Sequence, residues 1–269
     1  SIVRPHIGVI TNIGVAHMES LGSREGIFQA KMEIAKHIAG DDELPGTLIY
    51  ARDSEFLTKE RTKGNYDQIS VGEKGKDDYI ISSVDDFGMD GIKFTLEHAQ
   101  KVRQISLPLP GRHNAINSAL AVAVGDLLGI SPEEETDGLA AADLTGNRLK
   151  RRENGSICVI DDTYNASPDS MKSALRVLEH SRCDGKKIAI LGDMYELGED
   201  SDRQHFGVGL FAGGLKIDTL IAIGTHARKI CEGADGGNKD RFIENGDIIL
   251  VKGSRGMKME QVVENILKQ

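Results

Sequence analysis

Apolar positions recur along this chain with two periods, one suited to strands and one to helices. Residues 7–13, "IGVITNI", are almost continuously apolar and predict a buried strand, while 24–39 set Ile27, Ile34, Ala35 and Ile38 at helical spacing. After the turn-rich "GDDELPG", "TLIYA" predicts another strand. From 66 to 109, short alternating runs such as "YIISSV" and "IKFTLE", separated by Asp/Gly turns, predict hairpins or a small sheet. "PGRHNAINSALAVAVGDLLGI" returns to a helix with Ile116, Leu120, Ala123, Val124 and Leu127 as its stripe. Residues 131–150 are polar and helical at most, and a domain boundary is placed there, between 1–145 and 146–269.

Beyond that boundary the pattern becomes regular. "SICVIDD", "KKIAIL", "DTLIAIG" and "DIILVKG" predict strands, and between and after them "SPDSMKSALRVLEH", "SDRQHFGVGLFAG", "HARKICEG" and "MKMEQVVENILK" predict helices. Strict β–α alternation implies a mainly parallel, doubly wound sheet, so the fold class is α/β.

Composition narrows the function classes. A length of 269 residues suits two domains with proper cores, and 39% hydrophobic with 28% charged residues argues against disorder. The net charge of -9 argues against a nucleic-acid partner held by bulk electrostatics, although local dipoles can still bind small anions. Cys158, Cys183 and Cys231 are odd in number and widely spaced, suggesting neither a disulfide framework nor a zinc site, which fits a reducing cytoplasm. No apolar run approaches the ~20 residues of a membrane span, so membrane insertion is not expected. The chain enters a strand almost at once, as if taken from something longer.

Several side chains are placed where chemistry is possible. Thr11, Asn12, His17 and Glu19 stand at or just beyond the end of the first strand, the edge at which open α/β sheets bind ligands. On a wheel of about 100° per residue with Ile27 at zero, Lys31 falls near 40°, between Ile38 near 20° and Ala35 near 80°. That is the apolar face: Lys31 either snorkels past the core edge or is desolvated with a lowered pKa, able to take up carbon dioxide as a carbamate. His17 reads as a metal ligand or a hydrogen-bonded loop residue. Asn114 reads as a helix N-cap, and Asn117 as a second cap or as a carboxamide that offers a donor and an acceptor to an adenine edge. "VIDDTYN", "ILGDMYELG", "IGTH" and "LVKGSR" each follow an apolar strand and would line one edge of a parallel sheet, which leaves Asp161, Asp162, Tyr164, Asn165, Lys252 and Arg255 as binding candidates. Ser167, Pro168 and Asp169 form a good helix start and read as structural. The sequence contains no G-x-x-x-x-G-K-[ST] phosphate loop.

In combination these segments resemble the Mur ligases, the ATP-dependent amide-forming enzymes of bacterial peptidoglycan synthesis. "TNIGVAHMESLGSREGIFQAKMEI" looks like the family's metal and carbamate segment, "PGRHNAINSAL" its adenine segment and "GNRLKR" its junction arginine. "DDTYNASPDSM", "LGDMYELG" and "VKGSR" resemble the branch that joins D-alanyl-D-alanine to UDP-N-acetylmuramoyl-tripeptide. The resemblance implies part of a central ATP-binding domain, a mixed sheet with helices, over 1–145, and a Rossmann-like C-terminal ligase domain over 146–269. It implies ATP and Mg2+ as cofactors and a cytoplasmic, monomeric enzyme. His17 and a carbamylated Lys31 would hold the metal and, with Arg148 at the terminal phosphates, form the catalytic set. Asn12 would stand by the triphosphate, Asn114 and Asn117 would contact adenine, and Asp162 would hold the ribose or the hinge. Tyr164, Asn165, Lys252 and Arg255 would lie toward the peptide substrates, and hinge motion is expected near 145–149. The uridine-nucleotide domain and phosphate loop of the family are missing ahead of Ser1, so the expectation is an incomplete, inactive piece of the enzyme. The alternatives are another ligase of the superfamily, such as a folylpolyglutamate synthase, or a noncatalytic nucleotide-binding module. A Tyr-Ala-His type loop in place of "DDTYN" would point to other branches and is not found.

Overall fold

A computed structural model describes residues 3–15, 18–52, 55–73, 75–234 and 243–268. The first strand, β1 (Ile7–Ile10), is followed by a single helical turn, α1 (Met18–Leu21), and by α2 (Arg24–Lys31), whose N-cap Ser23 accepts from Gly26 N–H at 3.0 Å. At Met32 the chain tightens into a 3-10 helix that runs to His37. With three residues per turn, positions beyond Met32 no longer follow the α-helical wheel, so Ile34 leaves the expected stripe and is 39% exposed.

β2 (Thr47–Ala51), β3 (Asp67–Gly72) and β4 (Tyr79–Asp86) extend the sheet in parallel from β1, and β5 (Ile92–His98) and β6 (Lys101–Leu107) add an antiparallel meander. The runs expected as hairpins or a small sheet therefore belong to the same six-stranded sheet as β1 and β2. Alternation along β2 divides its two faces. Leu48 and Tyr50 pack with Ile27 and Phe28 of α2, and Ile49 and Ala51 pack with Ala115, Ala119 and Ala123 of α3 (His113–Leu127). The capping box of α4 (Pro132–Ala140) is closed by Ser131 and Glu134, and residues 141–149 then lead into the second sheet.

That sheet has the order β10-β9-β11-β8-β7. Its edge strand β7 (Lys150–Asn154), "KRREN", pairs antiparallel with β8 (Ile157–Asp162) and was not expected from the apolar pattern. α5 (Pro168–His180), β9 (Lys187–Gly192), α6 (Ser201–Gly213), β10 (Thr219–Ile223), α7 (Ala227–Gly233), β11 (Ile248–Lys252) and α8 (Glu260–Ile266) complete a parallel, doubly wound arrangement. Ile160, Ala189, Leu191 and Leu250 face α5 and α6, whereas Val159, Ile190, Ile249 and Val251 face Val263 and Ile266 of α8.

One residue of the first sheet enters the core of the second. Met89, in the turn Gly88–Asp90 between β4 and β5, is 9% exposed and packs in the same cluster as Val177 and Leu178 of α5. Its N–H donates to Ser181 Oγ at 3.0 Å. Gly88 has φ +62°, and a Cβ there would stand 2.3 Å from the backbone nitrogen of Ser181, so only glycine permits this approach.

Candidate functional site

A cleft of about 700 Å³ lies between the two sheets. From the first sheet it receives the loop after β1 and the end of α2. Lys31 Nζ donates to the Asn12 carbonyl at 2.7 Å and lies 3.3 Å from Asn12 Oδ1. The loop is held from behind by Arg24, whose Nη2 donates to Ile13 O at 2.9 Å while its guanidinium stacks 4.6 Å from the Phe56 ring centroid. Lys31 is exposed to the cleft, contrary to the desolvated amine that the wheel allowed. The reason is that α2 ends at Lys31, so its side chain leaves from a helix terminus instead of a packed face.

From the second sheet the cleft receives the β8 and β11 strand ends and the linker. Lys252, 2% exposed, pairs its ammonium with Asp162 Oδ2 at 2.7 Å and donates to Asn165 O at 2.8 Å. Asp162 Oδ1 accepts from Leu149 N–H at 3.2 Å. Burial pushes the Asp162 carboxyl up from the ordinary aspartate value, and the Lys252 ammonium pulls against that rise. Leu149 has φ +47° while its side chain packs into the core of the second sheet, so the linker enters that sheet through a constrained residue. Beside it, the Arg148 guanidinium lies 4.0 Å from the centroid of the Tyr164 ring.

The cleft thus joins Asn12 and Lys31 with Arg148, Asp162, Tyr164, Asn165 and Lys252. Arg255 lies in an adjoining hollow of about 110 Å³ that shares Asn165, Ala166 and Ser167 with the cleft and is walled by Tyr195 and Glu196. Asn114 and Asn117 are not in the cleft lining, although His113 beside them is. Asn114 is not the N-cap: α3 starts two residues earlier than that reading requires, with Arg112 as its cap. The buried Asn114 instead donates Nδ2 to Pro110 O at 2.8 Å and accepts from Asn117 Nδ2 at 3.1 Å, while Asn117 remains exposed. His17 lies outside the described residues. Among the described residues, no three His, Cys, Asp or Glu side chains gather as a metal site, and no helix is long and apolar enough to cross a membrane.

Of the four loops expected at one sheet edge, those after β9, β10 and β11 meet through Asp193, a residue not singled out from the sequence. The loop after β8 is joined to that edge by Lys252, through Asp162 and the Asn165 carbonyl. The Asp193 carboxylate accepts from Thr225 and His226 N–H at 2.8 and 2.9 Å, and its carbonyl from Ser254 N–H at 2.9 Å. The repeated polar step off each strand was the only sequence signal for this hub. Asp169 was read as part of a helix start, yet it also lines the cleft.

Comparison with known proteins agrees with this arrangement. Residues 1–125 match the Mur ligase middle domain and residues 147–255 the Mur ligase, glutamate ligase domain. The chain is 35% identical to UDP-N-acetylmuramoyl-tripeptide--D-alanyl-D-alanine ligase of Bacillus subtilis (strain 168), over 99% of the chain and 60% of that relative. It superposes on a crystal structure of MurF from Acinetobacter baumannii with a TM-score of 0.89 at 30% identity, covering 100% of this chain and 61% of that one. MurF ligase from Thermotoga maritima in complex with ADP aligns with a TM-score of 0.81 at 26% identity, over 99% of this chain and 62% of the other. The chain therefore spans about 60% of the length of the curated relatives it matches.

Proposed function

The chain belongs to the Mur ligase family, and on that premise we propose that it forms part of a cytoplasmic ligase joining D-alanyl-D-alanine to UDP-N-acetylmuramoyl-tripeptide at the expense of ATP. The observation that carries this reading is the cleft in which Lys31 and Asn12 of one sheet face Arg148, Tyr164 and Asn165 of the other. Its volume suits a small-molecule site. Two exposed cations, Lys31 and Arg148, suit a triphosphate, and the exposed carboxamide of Asn117 on α3 suits an adenine edge.

An unmodified Lys31 ammonium does not ligate a cation, so the metal reading requires its carbamate. That carbamate and His17 would hold Mg2+, which neutralises phosphate charge when bound. The tripeptide carboxylate attacks the γ-phosphorus, breaking its bond to ADP and giving an acyl phosphate. The acceptor nitrogen, once its ammonium has lost a proton, then attacks the acyl carbon and expels phosphate. Arg148 stabilises the charge that develops on the transferring group, and its stacking on Tyr164 holds the guanidinium for that task. Asp162, with both oxygens engaged by Lys252 and Leu149, acts in this reading at the hinge, fixing where the linker 145–149 enters the second lobe. Closure about that linker excludes the water that would hydrolyse the intermediate. Tyr164, Asn165, Lys252 and Arg255 form the wall facing the peptide substrates, with Lys252 acting through the Asn165 carbonyl.

The test is turnover by the full-length gene product. Phosphate release that requires ATP, UDP-N-acetylmuramoyl-tripeptide and D-alanyl-D-alanine together, with the pentapeptide product in the mass spectrum, is expected. Turnover with glutamate and a folate in place of those substrates, or none at all, overturns the reading. The 269 residues alone carry no phosphate loop, and calorimetry on them is expected to find weak or undetectable ATP binding.

A further inference from the structure

Two carboxylates line the cleft, and they are committed differently. Asp162 is occupied by Lys252 and by the Leu149 N–H. Asp169, in the first turn of α5, is exposed and has no hydrogen bond or ion pair among the described residues. Its carboxylate reaches across to the first lobe. A Cβ on Gly14 would stand 3.2 Å from Asp169 Oδ2, and it would lie 3.5 Å from Asn12 Nδ2. The remaining formal charges of the lining belong to the cations Lys31, Arg148 and Lys252. A free carboxylate in such a site favours one thing, a positively charged group of the ligand.

The neighbouring hollow adds a second observation. Asn165, Ala166 and Ser167 line both spaces, with Asp169 on the cleft side and Arg255 on the other. Arg255 is exposed and makes no ion pair among the described residues. One short loop therefore separates an uncommitted carboxylate from an uncommitted guanidinium. A dipeptide in solution is a zwitterion whose ammonium and carboxylate stand at opposite ends, at most ~7 Å of chain apart.

We propose that Asp169 receives the ammonium of the dipeptide acceptor while Arg255 faces its carboxylate, so that the nitrogen is presented on the cleft side, where the other substrate's carboxyl is activated. The assignment rests on the ligase reading and adds the polarity of acceptor binding to it. The reverse orientation is the less favourable one: it would set ammonium against the Arg255 guanidinium, with Glu196 on the same wall, and carboxylate against the Asp169 carboxylate.

Asp169→Asn in the full-length gene product tests this, with initial rates measured against D-alanyl-D-alanine, ATP and Mg2+ in turn. Losing a charge-assisted hydrogen bond is expected to raise KM for the dipeptide roughly tenfold to a hundredfold. KM for ATP and the Mg2+ dependence should stay within about twofold, since neither ligand contacts Asp169 in this arrangement. Asp169→Glu, which keeps the charge, should recover part of the loss and serves if the Asn variant folds poorly. An unchanged dipeptide KM, or an equal rise in KM for ATP or Mg2+, overturns the proposal. Failure of the wild-type enzyme to use D-alanyl-D-alanine would sink the ligase reading instead, so the two failures are distinct.

Discussion

Replacing Met89 by alanine asks how firmly the two lobes are held together. The side chain is 9% exposed and belongs to the core of the lobe opposite its own sheet, packed with Val177 and Leu178. Its backbone N–H bond to Ser181 Oγ at 3.0 Å survives the substitution, so the variant isolates the side chain. Truncating a buried methionine to alanine costs about 2–5 kcal/mol, with the low end applying where surroundings can close the cavity. Two lobes that can shift against each other are such a case, so about 2 kcal/mol is expected. In a chain of this size that lowers the melting temperature by roughly 4–8 °C, measurable by circular dichroism or calorimetry. Small-angle scattering should also show a broader distribution of lobe arrangements. A melting temperature within about 1 °C of wild type would refute the reasoning, because it would mean that Met89 buries nothing that matters to folding.

Two further predictions concern buried ionisable groups. Lys252→Met leaves Asp162 buried without its ammonium and should cost about 3–5 kcal/mol in urea unfolding, most of which the double variant with Asp162→Asn should recover. An equal loss in the single and double variants would contradict the pairing. His205 is fully buried, accepting the Met194 N–H at Nε2 (2.8 Å) and donating Nδ1–H to the Ser201 carbonyl (2.7 Å), and burial lowers its pKa from the ordinary value. The unfolded chain then binds the proton more readily than the folded one, so stability contributed by neutral His205 is present above about pH 6.5 and is lost as pH falls below it. His205→Gln should flatten the stability profile between about pH 7.5 and 5.5, and an unchanged slope would contradict this.

The second lobe was the more legible because each of its elements is local. Its β strands are short apolar runs, and Ser167–Pro168 marks the start of α5 by a cap that the structure closes onto Ser170. β7 escaped because "KRREN" has no apolar face. It is held by its ladder to β8 and by Arg152, which reaches Glu264 of α8 at 2.7 Å. For Lys31 the wheel left a snorkelling and a desolvated ammonium both open, and its exposure fits the first; the wheel could not decide because the chain changes from α to 3-10 at Met32. Asn114 was placed one residue outside its helix, because a side chain that donates to Pro110 O looks, in sequence, like one that accepts at an N-cap. Met89 carries no local signal, Asp169 signals only a helix start, and Asp193 only a polar step off β9. Their roles come from partners far along the chain, at Ser181, Gly14 and Thr225, which only the folded arrangement brings near.

The most direct measurement follows oxygen through the reaction in the interlobe cleft. The full-length gene product would be given UDP-N-acetylmuramoyl-tripeptide labelled with 18O in its reacting carboxylate, together with ATP and D-alanyl-D-alanine. Attack of that carboxylate on the γ-phosphate predicts one labelled oxygen in the phosphate released per amide bond formed. Amide formation with unlabelled phosphate, or phosphate release with no amide, would contradict it.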